Sequence, residues 1–271
     1  MGMPLFIYGT AWKEGATAEL VKTAVTAGFK AIDTANQPQH YQEALVGEAL
    51  ATLAKQGMTR ENLFLQTKFT PVDGQDHRIP YDPSADLHTQ VWQSFNSSLK
   101  NLHTDTVDSY LLHGPYSHPG LSEEDWEVWA TLEEIYKSGK AKAIGISNVN
   151  RGQVELLFEK AKVKPMVVQN RCFAKMGWDR DVRDFCKANN IVYQGFSLLT
   201  ANPFVLQDSQ VKKIASRVGK NPIQVVFRFA VQAGMTPLTG TTDPQHMKDD
   251  LQIFDFELTK DEVNLIETIA G

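Results

Sequence analysis

Short apolar runs and longer amphipathic stretches alternate along the whole chain. A short apolar run is typical of a buried strand, and apolar residues spaced three and four apart, such as Leu20, Ala24 and Ala27, are typical of a helix with one buried face. The predicted strands lie near Leu5–Tyr8, Ala31–Thr34, Leu63–Thr67, Ser109–Leu112, Ala143–Ile146, Met166–Val168, Val192–Gly195 and Pro237–Thr239. The predicted helices lie at about Ala16–Ala27, Gln42–Gln56, Leu87–Asn101, Glu123–Ser138, Arg151–Ala161, Asp179–Asn189 and Pro222–Gln232.

Residues that begin and end helices agree with this division. Gly28, Gly57 and Gly139 fall just past predicted helix ends, while Asn150 and Asp179 stand at helix starts as candidate caps. No Gly-, Ser- or Pro-rich linker and no shift in composition divides the chain. The alternation therefore predicts one continuous α/β unit.

A (β/α)8 barrel and a doubly wound open sheet both contain alternating strands and helices. The open sheet normally carries a glycine-rich turn after its first strand. Here that turn, Gly9–Lys13, reads GTAWK and lacks the dinucleotide fingerprint. We therefore predict an α/β fold of the (β/α)8, or TIM barrel, type, a single domain over residues 1–271 with its active site at the C-terminal ends of the strands.

Two segments depart from plain alternation. Pro71–Asp86 is a polar, proline-containing loop of unusual length after the third strand, of a kind that is often functional. Two helices are predicted between the seventh and eighth strands, at Ser209–Val218 and Pro222–Gln232, so one of them is an addition to the minimal barrel.

Composition limits the classes of partner. The 271 residues are 42% hydrophobic and 22% charged, with a net charge of −5 and scattered cations, which disfavours nucleic acid or an anionic membrane surface as a partner. The two cysteines, Cys172 and Cys186, lack metal-ligand spacing and are typical of a reducing cytoplasm. No apolar run has the length of a membrane span, and no targeting segment is recognisable. We expect a cytoplasmic protein with a small-molecule partner; the sequence leaves the oligomeric state open and favours a monomer.

Polar or aromatic residues stand at every predicted strand end, where a barrel displays catalytic groups. They are Thr10, Asp33, Lys68, His113, Ser147, Asn148, Gln169, Phe196, Ser197, Thr239, Gly240, Thr241 and Thr242. Lys68 lies in an otherwise apolar strand and requires a carboxylate partner, for which Asp33 is well placed on the adjacent strand. An ammonium beside the phenol of Tyr41 would lower its pKa towards working pH and make it a proton donor for a carbonyl.

Seven segments, in order along the chain, carry a resemblance to a known family. They are Gly28–Leu50 (GxxxIDTA…E…VGEAL), Leu63–Lys68 (LFLQTK), Val107–His113 (VDSYLLH), Ile144–Asn148 (IGISN), Val167–Asn170 (VVQN), Phe196–Leu198 (FSL) and Phe254–Leu258 (FDFEL). Together they resemble the aldo-keto reductase superfamily of NAD(P)H-dependent barrel oxidoreductases that use no metal.

The resemblance implies a catalytic set of Tyr41, Lys68, Asp33 and His113. It implies hydride transfer from nicotinamide C4 to a carbonyl carbon, with Tyr41 as the general acid, His113 orienting the oxygen, and Lys68, held by Asp33, tuning the phenol. It also implies that the nicotinamide half of the cofactor is bound by Thr10, Ser147, Asn148, Gln169 and Phe196, and its pyrophosphate by Ser197 and Leu198.

Residues 239–250 have the features of an anion site on chemical grounds alone. Asp243-Pro244 predicts a helix start, and the threonines before it offer hydroxyl and N–H groups. Family members selective for NADPH usually have a basic residue after the eighth strand and an Arg opening the next helix, where this chain has Gly240 and His246. The hydroxyls, the helix start and Lys248 favour NADPH, whereas Asp249 and Asp250 keep NADH possible.

The substrate side also departs from the resemblance. Gly114 stands where many relatives have Trp, and the chain ends at Gly271 without the long C-terminal loop of many relatives, so we expect a wide, weakly selective pocket. Its predicted lining is the Pro71–Asp86 loop with His40, Tyr116, Phe173 and Trp178, although Trp178 is equally consistent with ordinary packing.

Two residues, Tyr41 and His40, are candidates for the proton donor. Relatives usually place the tyrosine five residues after the aspartate, where this chain has Pro38; Tyr41 comes three residues later, after an insertion-like NQPQ. Counted back from Gly47, the family's tyrosine position falls on His40. We favour Tyr41, because the Lys68–Asp33 pair suits a phenol better than an imidazole.

Two other functions are compatible with a barrel. One is a cofactor-binding regulatory or sensing protein with weak or no turnover; the other is a metal-dependent hydrolase using His113 and His118. The hydrolase is disfavoured because no Asp or His pair at the end of the first strand completes a ligand set. We expect a reductase of aldehydes or ketones.

Overall fold

The computed structural model describes residues 2–271, and within them eight parallel strands form a closed barrel. The strands run in sequence order, and the first pairs with the last through Ile7 with Leu238 and Tyr8 with Thr239. Their bounds are β1 Ile7–Gly9, β2 Ala31–Asp33, β3 Phe64–Phe69, β4 Ser109–Leu112, β5 Ile144–Ser147, β6 Val167–Arg171, β7 Val192–Phe196 and β8 Met235–Thr239. The predicted (β/α)8 barrel is confirmed.

Helices follow the strands and cover the outside of the barrel. Their bounds are α1 Thr17–Ala27, α2 Glu43–Lys55, α3 Leu87–Asn101, α4 Glu123–Lys137, α5 Arg151–Lys160, α6 Arg180–Ala188, α7 Pro203–Gln207, α8 Ser209–Val218, α9 Pro222–Gln232, α10 Pro244–Leu251 and α11 Lys260–Glu267. The predicted addition between β7 and β8 is present, but α7 was not predicted, because five residues are too short for a helical period to show.

Successive strand residues point to opposite faces of the sheet, which divides the core in two. Tyr8 and Ile32 belong to the large cluster between the sheet and the helices. Their neighbours Ile7 and Ala31, with Phe64 from β3, belong to a small separate cluster that we place inside the barrel. The rest of the interior holds polar side chains near the C-terminal ends of the strands, where the candidate site lies.

Of the two predicted helix caps, one is present and the other is not. Asn150 begins α5 with a reciprocal capping box, in which its side chain accepts from Gln153 N and Gln153 accepts from Asn150 N. Asp179 precedes α6 in a left-handed conformation and does not cap it, so that prediction was wrong. Its carboxylate instead accepts hydrogen bonds from Asn170 and the Tyr193 hydroxyl, each at 2.8 Å.

Helix α2 packs closely against the end of α3 at Gly47. A Cβ atom at this position would lie 1.9 Å from the backbone oxygen of Asn101. Close approach also lets Glu43, in the first turn of α2, accept hydrogen bonds from the Asn101 amide at 3.1 Å and the Thr67 hydroxyl at 2.5 Å. Glycine is therefore required here by space, and the contact fixes where α2 begins.

Candidate active site

A cavity of about 890 Å3 opens at the C-terminal ends of the strands. That volume is in the upper part of the range for small-molecule and cofactor sites. One end is lined by Tyr41 and His113, and the other by His246 and Asp250. Strand ends from around the barrel therefore contribute to one elongated site.

A buried ion pair lies at the base of the first end. Lys68 Nζ lies 2.7 Å from both carboxylate oxygens of Asp33 and donates to the Thr34 backbone oxygen at 2.9 Å. Lys68 is 0% exposed and Asp33 is 2% exposed. Burial lowers the pKa of Lys68, while the charge of Asp33 and its hydrogen bonds oppose that shift. The partner that the sequence predicts for Lys68 is thus in contact with it.

Tyr41 lies over this pair. The Lys68 ammonium is 5.3 Å from the centroid of the Tyr41 ring, and the rings of Tyr41 and His113 are 5.9 Å apart. Burial, and then the negative charge of Asp33, raise the pKa of Tyr41 above its usual value. The expected lowering of the Tyr41 pKa is therefore not seen, because burial and the nearby carboxylate both disfavour the phenolate. The phenol stays protonated at neutral pH, as a proton donor must be.

His40 is engaged elsewhere on the rim of the cavity. Its ring stacks on Trp12 with centroids 4.0 Å apart, and its Nδ1 lies 3.1 Å from Oε1 of Gln37. Burial lowers its pKa, so the imidazole is largely neutral. Neither contact brings His40 to the Lys68–Asp33 pair.

His113 lies at the end of β4 with one ring nitrogen committed. Its Nδ1 lies 2.7 Å from the Thr70 hydroxyl, so Nε2 is the nitrogen left for a ligand. Burial, and then the positive charge of Lys68, hold the pKa of His113 well below its usual range. The imidazole is therefore neutral and can orient a carbonyl oxygen without carrying charge.

Polar side chains from β5 and β6 form the wall beside this acid end. Ser147 donates to the backbone oxygen of Gln169 at 2.7 Å, and Asn148 donates to that of His113 at 2.8 Å. Asn148 has a φ of 58°, an uncommon conformation that turns its short amide towards the β4 end. Gln169 donates to Asp33 Oδ1 at 3.1 Å. These three side chains line the cavity where the resemblance expects the carboxamide.

Residues at the end of β7 line the next part of the cavity. Phe196 presents an aromatic face, and Ser197, Leu198, Leu199 and Thr200 follow it. Thr10, by contrast, is fully buried and does not line the cavity, because its hydroxyl donates to the Asp33 backbone oxygen at 2.9 Å. That contact holds Thr10 at the Asp33 backbone, outside the described cavity lining, and its position beside the nicotinamide ribose stays a prediction.

The far end is built from the segment after β8. Thr239 donates to Asp250 Oδ2 at 2.8 Å, and burial raises the pKa of Asp250 to about 6. Gly240, Thr241 and His246 also line the cavity, whereas Thr242 lies outside its lining.

The predicted helix cap is present at this end. The Asp243 side chain accepts from the N–H groups of Gln245 and His246, so the cap occupies those two backbone donors. The Lys13 ammonium donates to the Gly240 oxygen and supplies a cation at the described cavity lining, which does not include Lys248.

The residues predicted for the substrate pocket differ in their position relative to the cavity. His40 and Phe173 line the cavity, but Tyr116 and Trp178 do not. Trp178 is fully buried, packs against Phe229 and donates to the Ile266 oxygen at 2.8 Å, so it serves ordinary packing. No residue of the Pro71–Asp86 loop is among the lining residues in the part of the chain that the structure describes.

Several lining residues were not predicted from the sequence. Trp12 and Lys13 follow β1, and Arg171 ends β6 with its guanidinium 5.5 Å from the centroid of the Phe196 ring. The signal was present, since each lies three to five residues past a predicted strand end, further along the loop than the residues named as candidates.

The sequence model of the Aldo/keto reductase family matches residues 3–270. The chain belongs to this family. Among its relatives, an uncharacterized oxidoreductase, YtbE, of Bacillus subtilis is 30% identical over 92% of this chain and 82% of its own length. The glyoxal reductase of the same organism is 28% identical, covering 98% of this chain and 89% of its own.

Solved structures agree with this aldo-keto reductase assignment. The enzyme MGS-M4, an aldo-keto reductase from a deep-sea metagenome library, matches with a TM-score of 0.84 and 27% identity over 99% of this chain and 92% of its own. Aldo-keto reductases in general are NAD(P)H-dependent enzymes that reduce carbonyl groups, and this chain is an oxidoreductase of that kind.

Among residues 2–271, no helix is long and apolar enough to cross a membrane. Over the same residues, no cluster of three or more His, Cys, Asp or Glu side chains is arranged to hold a metal ion.

Proposed function

We propose that this protein reduces aldehydes or ketones to alcohols with NADPH, using Tyr41 as the general acid. The observation that carries the proposal is the contact of the Tyr41 ring with both Lys68 and His113 at the closed end of the cavity. In this proposal, the protonated phenol and the neutral imidazole act together on one carbonyl oxygen.

When bound, NADPH would supply the hydride that the carbonyl carbon requires and would be oxidised to NADP+. Tyr41 donates the proton that the carbonyl oxygen requires, and the neutral His113 orients that oxygen. Lys68 and Asp33 act below the phenol: the ammonium stabilises the phenolate left by proton transfer, and the carboxylate holds the ammonium in place. One hydride and one proton thus convert the carbonyl into an alcohol.

The residues along the cavity fit a nicotinamide dinucleotide. Ser147, Asn148 and Gln169 offer polar groups for a carboxamide, and Phe196 offers a flat face for its ring. The cavity then continues past Ser197 to the segment after β8. Such a cofactor requires polar side chains beside an aromatic face for its nicotinamide, and an extended channel for the rest of the molecule.

The preference for NADPH rests on two side chains at the far end. Lys13 lies against the Gly240 oxygen, and His246 lines the same part of the cavity. Both can attract the extra phosphate of NADPH, and Thr241 adds a hydroxyl beside them. Asp250 opposes this preference when it is ionised.

Steady-state oxidation of NADPH and of NADH, followed with a panel of activated aldehydes, tests the proposal. Glyoxal belongs in the panel because one relative is a glyoxal reductase. We expect turnover that is lost in the Tyr41→Phe variant and higher kcat/KM with NADPH. Tight binding of the cofactor without turnover of any carbonyl would favour the sensing barrel instead.

A further inference from the structure

Three glutamines and one aspartate form a closed hydrogen-bond network inside the barrel. Gln66 on β3 and Gln194 on β7 are both 0% exposed, Gln169 on β6 is 3% exposed, and Asp33 on β2 is 2% exposed. Gln66 and Gln194 do not line the cavity, so no contact with a ligand explains why polar side chains stand in the barrel interior.

The direction of each hydrogen bond in this network follows from Asp33. Its carboxylate is paired with Lys68 and can only accept, so Gln66 donates to Oδ1 at 2.8 Å and Gln169 donates to Oδ1 at 3.1 Å. The second hydrogens of the same two Nε2 atoms go to Gln194 Oε1, at 2.7 Å and 2.8 Å. Both hydrogens of the Gln66 amide and of the Gln169 amide are therefore used.

Gln194 is fixed in turn by Gln66. Its Oε1 accepts from both neighbouring amides, and its Nε2 donates to Gln66 Oε1 at 3.0 Å. Turning the amide of Gln169 over would set its oxygen against Asp33 Oδ1 and Gln194 Oε1, which are both acceptors. Such a buried clash between unpaired acceptors is strongly unfavourable.

The consequence reaches the cavity through Gln169, the member of the glutamine set that lines it. With both of its N–H bonds committed, its amide can offer only Oε1 to a ligand. A group that binds there must donate a hydrogen bond, as the NH2 of a carboxamide does and as a carboxylate cannot.

We propose that Gln66 and Gln194 are positioning residues, which orient the Gln169 amide so that the site selects a dinucleotide bearing a ring carboxamide over one bearing a ring carboxylate. This inference rests on the proposed function, since it concerns how the same cofactor is recognised.

The test compares two probes, NADP+ and its deamido analogue, nicotinic acid adenine dinucleotide phosphate. Their dissociation constants are measured by quenching of tryptophan fluorescence, for which Trp12 at the cavity is suitable. We expect the wild type to bind NADP+ at least about 50-fold more tightly, because an unpaired buried acceptor is costly. Gln194→Leu should reduce that ratio about tenfold, and Gln66→Leu should reduce it less.

Gln90→Leu is the matched control. Gln90 is a buried glutamine on α3 that donates to the Pro83 and Ala85 backbone oxygens and does not line the cavity. Its variant should keep the wild-type ratio. The ratio reports only molecules that bind, so partial unfolding of a variant does not alter it.

The outcomes separate the two proposals. Wild-type protein that binds neither dinucleotide would refute the proposed function. Binding of NADP+ with a ratio that stays within twofold in Gln194→Leu and Gln66→Leu, or that falls equally in Gln90→Leu, would overturn the role of the glutamines alone.

Discussion

The two ends of the cavity are built on different principles. At the acid end, Asp33 and Lys68 come from two separate strands and are buried in contact with each other, and His113 directly follows a third strand. At the other end, Gly240–Asp250 is one continuous segment, and most of it is exposed. The acid end therefore depends on the whole barrel, whereas the far end can change its ligand preference without disturbing the chemistry.

The largest expected effect is on the buried ion pair. Lys68→Met should lower the free energy of unfolding by about 3 to 5 kcal/mol, because it leaves Asp33 buried without its counter-charge. Urea unfolding measures this change. Lys22→Met is the matched control, since Lys22 pairs with Glu19 on the exposed side of α1. The free energy of unfolding of that variant should fall by less than about 1 kcal/mol. Equal decreases in the two variants would show that the buried ion pair contributes no more to stability than the exposed one.

A smaller but decisive effect concerns the proton donor. Tyr41→Phe should lower kcat by at least about 10²-fold, the scale of a lost general acid, while the dissociation constant for NADPH stays near that of the wild type. Pre-steady-state and steady-state rates with one aldehyde measure the change.

His40→Ala is the comparison variant for this prediction. Because His40 stacks on Trp12 at the rim, its removal should alter KM more than kcat. Abolished turnover in His40→Ala, together with an active Tyr41→Phe variant, would transfer the role of acid to the histidine.

The smallest effect is expected at the exposed end. The pKa of Asp250 is raised to about 6, so its side chain is neutral at pH 5 and negative at pH 7.5. As pH rises through this window, the new charge repels the extra phosphate of NADPH. The dissociation constant for NADPH should therefore rise about threefold to fivefold from this source, since one charge near the surface is worth about 1 kcal/mol.

Asp250→Asn should remove that part of the pH dependence. The cofactor phosphate also titrates near pH 6, but it does so equally with both proteins, so the difference between their profiles isolates Asp250. Dissociation constants measured at pH 5 and 7.5 for NADPH and NADH provide the data. Parallel profiles for the two proteins would show that Asp250 does not face the phosphate.

The strand and helix pattern allowed the fold to be predicted because its periodicity is local. The strand ends then indicated Asp33, Lys68 and His113, since a barrel always displays these positions at one rim. Tyr41 was harder, because it lies in a loop whose length varies, and only packing against Lys68 distinguishes it from its neighbour His40.

The remaining features depend on contacts between distant residues. The sequence alone does not indicate that Trp178 packs against Phe229 instead of lining the cavity, because the two residues are 51 positions apart in the chain. Gln66 and Gln194 are likewise 128 positions apart and meet only across the closed barrel. The raised pKa of Tyr41 depends first on its burial and then on its distance from Asp33, neither of which follows from residue type.

Gly47 gives the acid end an unexpected dependence on the outer surface of the barrel. Because a Cβ atom at this position would lie only 1.9 Å from the Asn101 oxygen, the missing side chain sets how closely α2 approaches the end of α3. Tyr41 precedes the first residue of α2, Glu43, by two positions, so the helix carries the phenol with it. The depth at which the proton donor enters the cavity is therefore fixed on the far side of the strand layer, by the absence of a single methyl group.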